Sequence, residues 1–323
     1  MAYNSLIDRT GAAALIPEVA SREILQTMAD TSWLLSLARR LPNMSTAQTR
    51  LPVLSTLPVA YFVTGDTGLK QTTEVAWDNK YIDAEEVAVI VPIPQAVLDD
   101  ADYDIWAEIR PLIAAAFNKA ITGAVFFGTN IPSTWTVNLG AAGLVAAILA
   151  ASHDVSAAGF TDIYEAIMGE SSEGAGDGVL ALVEADGYTP TGHVAYSGFK
   201  ATLRNVRSAD GVPIFNADPG SKAGYTLDGT PCVFPADGSL SSTYKLITGQ
   251  WDQLVYAMRQ DITYRMLTEG VISDAGGNIV YNLPQQDMVA LRATMRIGFA
   301  LPNPINPMNE TEATRCPFAY LTA

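Results

Sequence analysis

Cysteine and histidine are nearly absent from this chain: each occurs twice in 323 residues. Cys232 and Cys316 lie too far apart for a zinc-ligand spacing, and His153 and His193 each stand without a second histidine or a cysteine nearby. A zinc module is therefore excluded as the organising feature, and both cysteines read as packed, reduced thiols. Positive charge is also scarce. Lys and Arg number 19 against 34 Asp and Glu, a formal charge of −15 with no basic cluster, which opposes a surface built to grip a nucleic-acid backbone, though not proximity to one. Long apolar runs are missing too: the longest, Ala141 to Ala151, is about half a membrane span. The first residues, MAYNSLIDRTGAAALIPEVA, lack the basic region and apolar core of a secretory signal.

What is present is apolar and ordered. With 49% hydrophobic and 16% charged residues, the chain has enough apolar surface to bury one or two cores. A polar, glycine-containing arm runs to about Leu15. Pro17 then opens a helical pattern through Val19, Ile24, Leu25 and Met28, and a shorter one follows through Trp33, Leu34 and Leu37. Between Thr49 and Asp83 the composition turns to β-branched and aromatic residues with turn signals at Gly65, Asp66 and Gly68, which predicts a long extended hairpin. Val87, Val89, Val91 and Ile93 alternate as a strand, and Pro92 and Pro94 mark an edge or an end.

The stretch from Ile105 to Phe127 predicts a helix about 35 Å long, capped by Asp99, Asp100 or Asp102. Its apolar stripe runs through Ile105, Ile109, Leu112, Ala116, Ala120 and Phe127, widened by Ile113, Phe117 and Ala124. Pro111 falls opposite the stripe, where it bends the helix or, in the alternative, separates two helices at Arg110. Further on, Gly143 to Ala151 and Thr161 to Met168 predict helices, and GESSEGAGDG (169–178) a flexible loop. VLALV reads as a buried strand, HVAYSG as another, and Phe199, Leu203 and Val206 as a helix. DAGGN (274–278) joins two strand-like runs. In MVALRATMRIGFAL, Val289, Leu291, Ala293, Met295, Ile297 and Phe299 face one way, as the partner of the Val87 to Ile93 strand beneath the long helix.

None of this carries chemistry. GAGDG lacks the lysine and hydroxyl residue of a phosphate loop, and Ser197 in AYSGF is no nucleophile elbow. Asp99, Asp100, Asp102 and Asp104 lack a calcium-loop pattern and suit a helix N-terminus. The positive signal is architectural: a hairpin of about 35 residues does not bury enough surface to stand alone, so it either rests on a neighbouring subunit or remains a mobile surface loop.

The order of elements resembles the major capsid proteins of tailed bacteriophages, the Hong Kong ninety-seven type fold. IPEVASREILQTMADTSWLLSLARRLPNMSTAQTRLPVL is similar to that family's N-terminal helix and extended loop, and VAVIVPIPQAVLDDADYDIWAEIRP, ending in AVFFGTN, to its strand and spine helix. VAYSGFKATLRNVRSADGVPIF, YTLDGTPCVFP and LITGQWDQLVYAMRQDITYRM resemble the axial domain, and ALRATMRIGFALPNPINP with CPFAYLTA the peripheral strands.

The resemblance implies an α+β subunit divided into an N-terminal arm (1–16), peripheral helices (17–48), an extended loop (49–83), a peripheral strand and spine helix (84–135), an axial domain (136–284) and C-terminal peripheral strands (285–323). It implies a major capsid protein, not an enzyme, assembling as pentamers and hexamers into an icosahedral virion shell around double-stranded DNA that it does not bind sequence-specifically. No cofactor, metal or membrane is implied, and assembly would take place in the cytoplasm of a bacterial host. An encapsulin-like shell that packages enzymes is the alternative. Expected contacts between subunits are Arg9 of the arm and Phe62, Thr64, Gly65, Asp66, Lys70, Trp77 and Tyr81 of the loop. Because arm-like sequence starts at Met1, a separate scaffolding protein or none is expected, with a portal and room for a decoration protein. Lys70 and Lys80 lack a recognisable asparagine partner, so no covalent cross-link is expected.

Overall fold

The computed structural model describes residues 32–63, 68–101, 104–160, 162–169, 177–206, 226–274 and 276–322. The expected arm and first helix, the caps considered at Asp102, and most of the loop at 169–178 lie outside these residues. In chain order, α1 (Trp33–Leu37) leads through β1 (Arg39–Arg40) into β2 (Gln48–Thr56) and β3 (Ala76–Asp83). Then come β4 (Glu85–Pro94), α2 (Gln95–Asp100), the long α3 (Ile105–Phe127), α4 (Thr136–Leu139), α5 (Leu144–Ala150) and β5 (Asp154–Ser156). The middle of the chain forms α6 (Ile163–Met168), α7 (Val179–Ala185), β6 (Gly192–Ala195), α8 (Phe199–Asn205), β7 (Thr226–Leu227), β8 (Thr230–Val233) and β9 (Tyr244–Gly249). The last elements are β10 (Val255–Leu267), β11 (Val271–Ser273), β12 (Ile279–Asn282), β13 (Met288–Ala300) and β14 (Phe318–Thr322).

Two sheets organise the chain. One has four strands in the order β1-β10-β13-β4, and the other has six in the order β5-β14-β9-β6-β8-β7. β4 pairs with β13 antiparallel from Met288↔Pro94 to Ile297↔Glu85, so the predicted partnership holds, and Pro92 and Pro94 sit on an edge strand where a missing N–H costs no ladder bond. The alternating Val289, Leu291, Ala293, Met295, Ile297 and Phe299 are all buried, and most pack with α3 in one core.

α3 runs unbroken through Pro111. Proline removes the bond that would reach the carbonyl of Ala107, and Ala107 is exposed, where that carbonyl is open to solvent. The cap is Asp104, whose carboxylate accepts from the N–H groups of Trp106 (3.0 Å) and Ala107 (3.3 Å), not the earlier aspartates. The buried line also differs from the expected stripe. Ile113, Phe117 and Ala124, expected at its margin, are buried together with Ile121 and Val125, whereas Ala116 and Ala120 are exposed and Leu112 is half exposed. Phenylalanine and isoleucine lose far more apolar area than alanine on burial, so they set the rotation of the helix. Gly128 ends α3 in the left-handed region at φ 64°, and a Cβ there would lie 2.6 Å from the carbonyl oxygen of Ala141.

VLALV is the start of α7 and not a strand. A short, wholly apolar run has no period to distinguish the two, and burial of Val179, Leu180 and Val183 on one side fits a helix turn. The expected grouping of strands also divides differently. β10, expected with residues 136–284, pairs with β13 in the four-stranded sheet, whereas β14, expected with β13, lies inside the six-stranded sheet between β5 and β9. The chain therefore crosses between the sheets before β10 and again after β13. At that crossing Trp251 is 5.3 to 5.9 Å from the rings of Trp33, Phe126 and Phe318, and its indole N–H donates to the carbonyl of Gly192 at 2.9 Å.

Candidate assembly surfaces

β2 and β3 form a two-stranded antiparallel sheet of their own, paired from Gln48↔Asp83 to Thr56↔Ala76. Its base is fixed on all sides. Ile82 is fully buried, with a methyl against Gly298, and the carbonyl of Asp83 accepts from the Trp135 indole at 2.8 Å. The Asn138 amide donates to the carbonyl of Tyr81, the N–H of Ile305 donates to the carbonyl of Leu54, and Lys80 meets Glu312 at 2.7 Å. Sequence reading missed Glu312: it lies 232 residues from Lys80, and no local pattern links them.

The described residues of the far half of the hairpin have no such support. Val59 accepts no core packing at 69% exposure, Phe62 is wholly exposed, Leu69 is 89% exposed and Trp77 68%. Tyr81 is 40% exposed and Lys70 is exposed. The few bonds here are internal, from the Tyr61 hydroxyl to the carbonyl of Gln71 and from the N–H of Val59 to the Thr73 hydroxyl. Of the expected contact residues, Phe62, Lys70, Trp77 and Tyr81 thus share one projecting element; Arg9, Thr64, Gly65 and Asp66 lie outside the described residues. Val59 and Leu69 join them, apolar residues that the turn signals around them had concealed.

The buried polar groups serve the fold. Asp186 accepts from the N–H of Cys316 and the amide of Asn309, both at 2.8 Å, and lies 3.3 Å from His153, whose other ring nitrogen is 3.1 Å from the carbonyl of Phe318. These contacts tie the chain after β13 to the six-stranded sheet. Burial pushes both thiols up to about 12, which makes Cys232 and Cys316 poor nucleophiles.

His193 is fully buried among the Thr230 and Thr248 hydroxyls and the carbonyl of Leu227. Burial holds its imidazole below the usual value of 6.5. Above that pH both the folded and the unfolded chain carry it neutral. As the pH falls through 6.5 the unfolded chain takes up a proton that the folded chain resists, so stability declines. The urea midpoint should therefore be lower at pH 5.5 than at 7.5, and His193→Gln should narrow that difference; an unchanged difference in the variant would assign the effect to other groups.

Among the described residues no group of three or more metal-ligating side chains occurs, and no helix is long and apolar enough to cross a membrane. The family model described as the phage capsid family matches residues 12–308. A curated relative, the "Major capsid protein" of Staphylococcus phage 80alpha, is 26% identical over 282 residues, covering 85% of this chain and 78% of its own. Solved structures from Microbacterium phage Oxtober96 and Mycobacterium phage Bobi are each 30% identical, cover 98% of this chain and 99% of theirs, and superpose with TM-scores of 0.81 and 0.78. A structure titled as the capsid of a native GTA particle computed with C5 symmetry, 18% identical over 99% of both chains with a TM-score of 0.62, shares the fold.

The chain belongs to the phage capsid family. Its fold is of the Hong Kong ninety-seven type, and its function is that of a major capsid protein, the subunit from which a phage shell is built. The encapsulin alternative is not favoured.

Proposed function

We propose that copies of this chain form hexamers and pentamers that close into an icosahedral shell around double-stranded DNA, with each hairpin laid across a neighbour and the N-terminal residues reaching another. The carrying observation is the β2–β3 hairpin: it is anchored by its base alone and holds Phe62, Leu69 and Trp77 in water. Each such side chain contributes about 1.5 to 3 kcal/mol when fully buried, and repetition around a ring multiplies a modest contact.

The acidic balance suits a lining that releases DNA, and it supports enclosure without sequence-specific binding. Lys80 is engaged by Glu312, which supports a shell held by non-covalent contacts. The chain would assemble in the cytoplasm of a bacterial host around a separate scaffolding protein or none, with a portal at one vertex and a decoration protein as a further partner. Electron microscopy of the protein expressed alone and with a candidate scaffold tests this reading. Closed shells, capsomers or tubes are expected; monomers under every condition would overturn it.

A further inference from the structure

Residues 301–317 join β13 to β14 with neither helix nor strand. An irregular connection of that length inside a compact chain is uncommon and usually functional. This one is held at two ends that belong to different sheets. On the six-stranded side it is fixed to the turn between α7 and β6. The Asn306 amide donates to the carbonyl of Asp186, and the Asn309 amide and the N–H of Cys316 donate to its carboxylate, all at 2.8 Å. The Tyr188 hydroxyl donates to Oδ1 of Asn303 at 3.0 Å. Met308 closes this contact, so near Gly187 that a Cβ there would lie 2.7 Å from its Cγ.

The other end holds the base of the β2–β3 hairpin. The N–H of Ile305 donates to the carbonyl of Leu54 at 3.2 Å, and Glu312 meets Lys80 at 2.7 Å. Across a narrow crevice Val53, Leu54 and Lys80 face Asn303, Ile305 and Arg315. Lys80 has a second carboxylate in reach, Asp78 of its own strand at 3.8 Å, so losing Glu312 does not leave it without a partner.

Between the two ends, Arg315 stiffens the segment. Its guanidinium belongs to a residue 4% exposed and donates to Oδ1 and the carbonyl of Asn303 at 3.2 and 2.8 Å and to the carbonyl of Asn309 at 2.8 Å. The Asn303 amide returns a bond to the carbonyl of Arg315 at 2.9 Å. A buried charge is costly unless it is hydrogen-bonded, and bonds from a charged donor are the stronger ones. The same arginine therefore fastens Asn303, which meets Tyr188, to the stretch that carries Glu312.

We propose that residues 301–317 are a strap that sets the tilt of the hairpin from the six-stranded sheet, with Asn303 and Arg315 as its positioning residues and Glu312 as its grip. Coupling of this kind is carried by contiguous packed and hydrogen-bonded groups. The tilt fixes the angle at which two copies meet, and that angle decides how a ring closes. This last step rests on the reading that the hairpin lies on a neighbour; the coupling within one subunit does not.

Hydrogen exchange of the unassembled full chain tests the strap, with β11–β12 as the control, because among the described residues no strap residue bonds to that hairpin. Asp186→Asn alters no hairpin contact, yet it should speed amide exchange in β2 and β3 about fivefold, the factor that one lost hydrogen bond is worth, and leave β11–β12 unchanged. Tyr188→Phe removes a single hydroxyl and should act in the same direction by about twofold, which keeps the test open if Asp186→Asn fails to fold. Glu312→Gln, at an exposed position, should reproduce the effect, and combined with Tyr188→Phe it should give less than the product of the two factors. Microscopy of the assembled variants should show shells of mixed diameter where the parent gives one.

Unchanged exchange in β2 and β3 for the folded variants at Asp186 and Tyr188 would overturn the strap, whatever the shells do. Faster exchange spread equally over β11–β12 would mark general destabilisation and overturn it as well. Faster exchange confined to β2 and β3, with shells of the parent's diameter, would strike out the positioning role in assembly. The hairpin reading itself falls only if removal of residues 64–73 also leaves assembly normal.

Discussion

Removing Thr64 to Thr73 is expected to yield a subunit that folds and melts like the parent yet forms no closed shells. Every contact that anchors the hairpin lies outside the deleted stretch, at Ile82, Asp83, Tyr81, Lys80 and Leu54. Among its described residues, 68–73, the internal bonds of Gln71 and Thr73 are lost, both at exposed positions. Monomer stability should thus change by no more than about 0.5 kcal/mol, as for other exposed sites. Assembly loses Leu69 and Lys70 from every copy and brings the remaining apolar residues out of reach of a neighbour. One buried leucine is worth about 2 kcal/mol, and each 1.4 kcal/mol is a factor of ten in an association constant, so the threshold concentration for assembly should rise well over tenfold. Sedimentation velocity and microscopy read the outcome; shells at the parent's threshold would sink the role given to the hairpin.

Trp251→Ala should have the opposite signature, a subunit whose folding itself fails. Trp251 is 1% exposed, meets three aromatic rings and donates to Gly192 at the point where the chain passes from the six-stranded to the four-stranded sheet. Truncating a buried tryptophan costs about 3–5 kcal/mol through lost burial and the cavity left behind. Against a total stability of roughly 5–15 kcal/mol, that removes a large share of what holds the native state together. Urea titration at 25 °C measures it, with Phe62→Ala as the exposed control expected to change nothing. A loss under about 1 kcal/mol for Trp251→Ala would show that the two sheets do not share one core.

Much of this organisation is legible in the sequence. The strict alternation from Val289 to Phe299 admits only a half-buried strand, and its match to Val87–Ile93 paired that strand correctly with the edge strand β4. The long helix, the hairpin between Thr49 and Asp83 and the turn at DAGGN followed from periods and turn residues, because those signals act within a few residues. Where local signals were ambiguous the reading failed. VLALV has no period, Asp99, Asp100 and Asp102 were expected as caps where Asp104 serves, and Ala116 and Ala120, expected on the stripe of α3, gave way to Ile121 and Val125.

By itself, then, the sequence determined the type of every element with a clear period and the presence of an extended hairpin too long to stand alone. Only the tertiary structure decided which sheet β10 and β14 join and that Lys80 meets Glu312. The physical reason is distance along the chain. Helical and strand periods are written in neighbouring residues, whereas strand partners and charge pairs are selected by packing between segments far apart in the chain, as Lys80 and Glu312 are, where a two-residue period fits either sheet equally well.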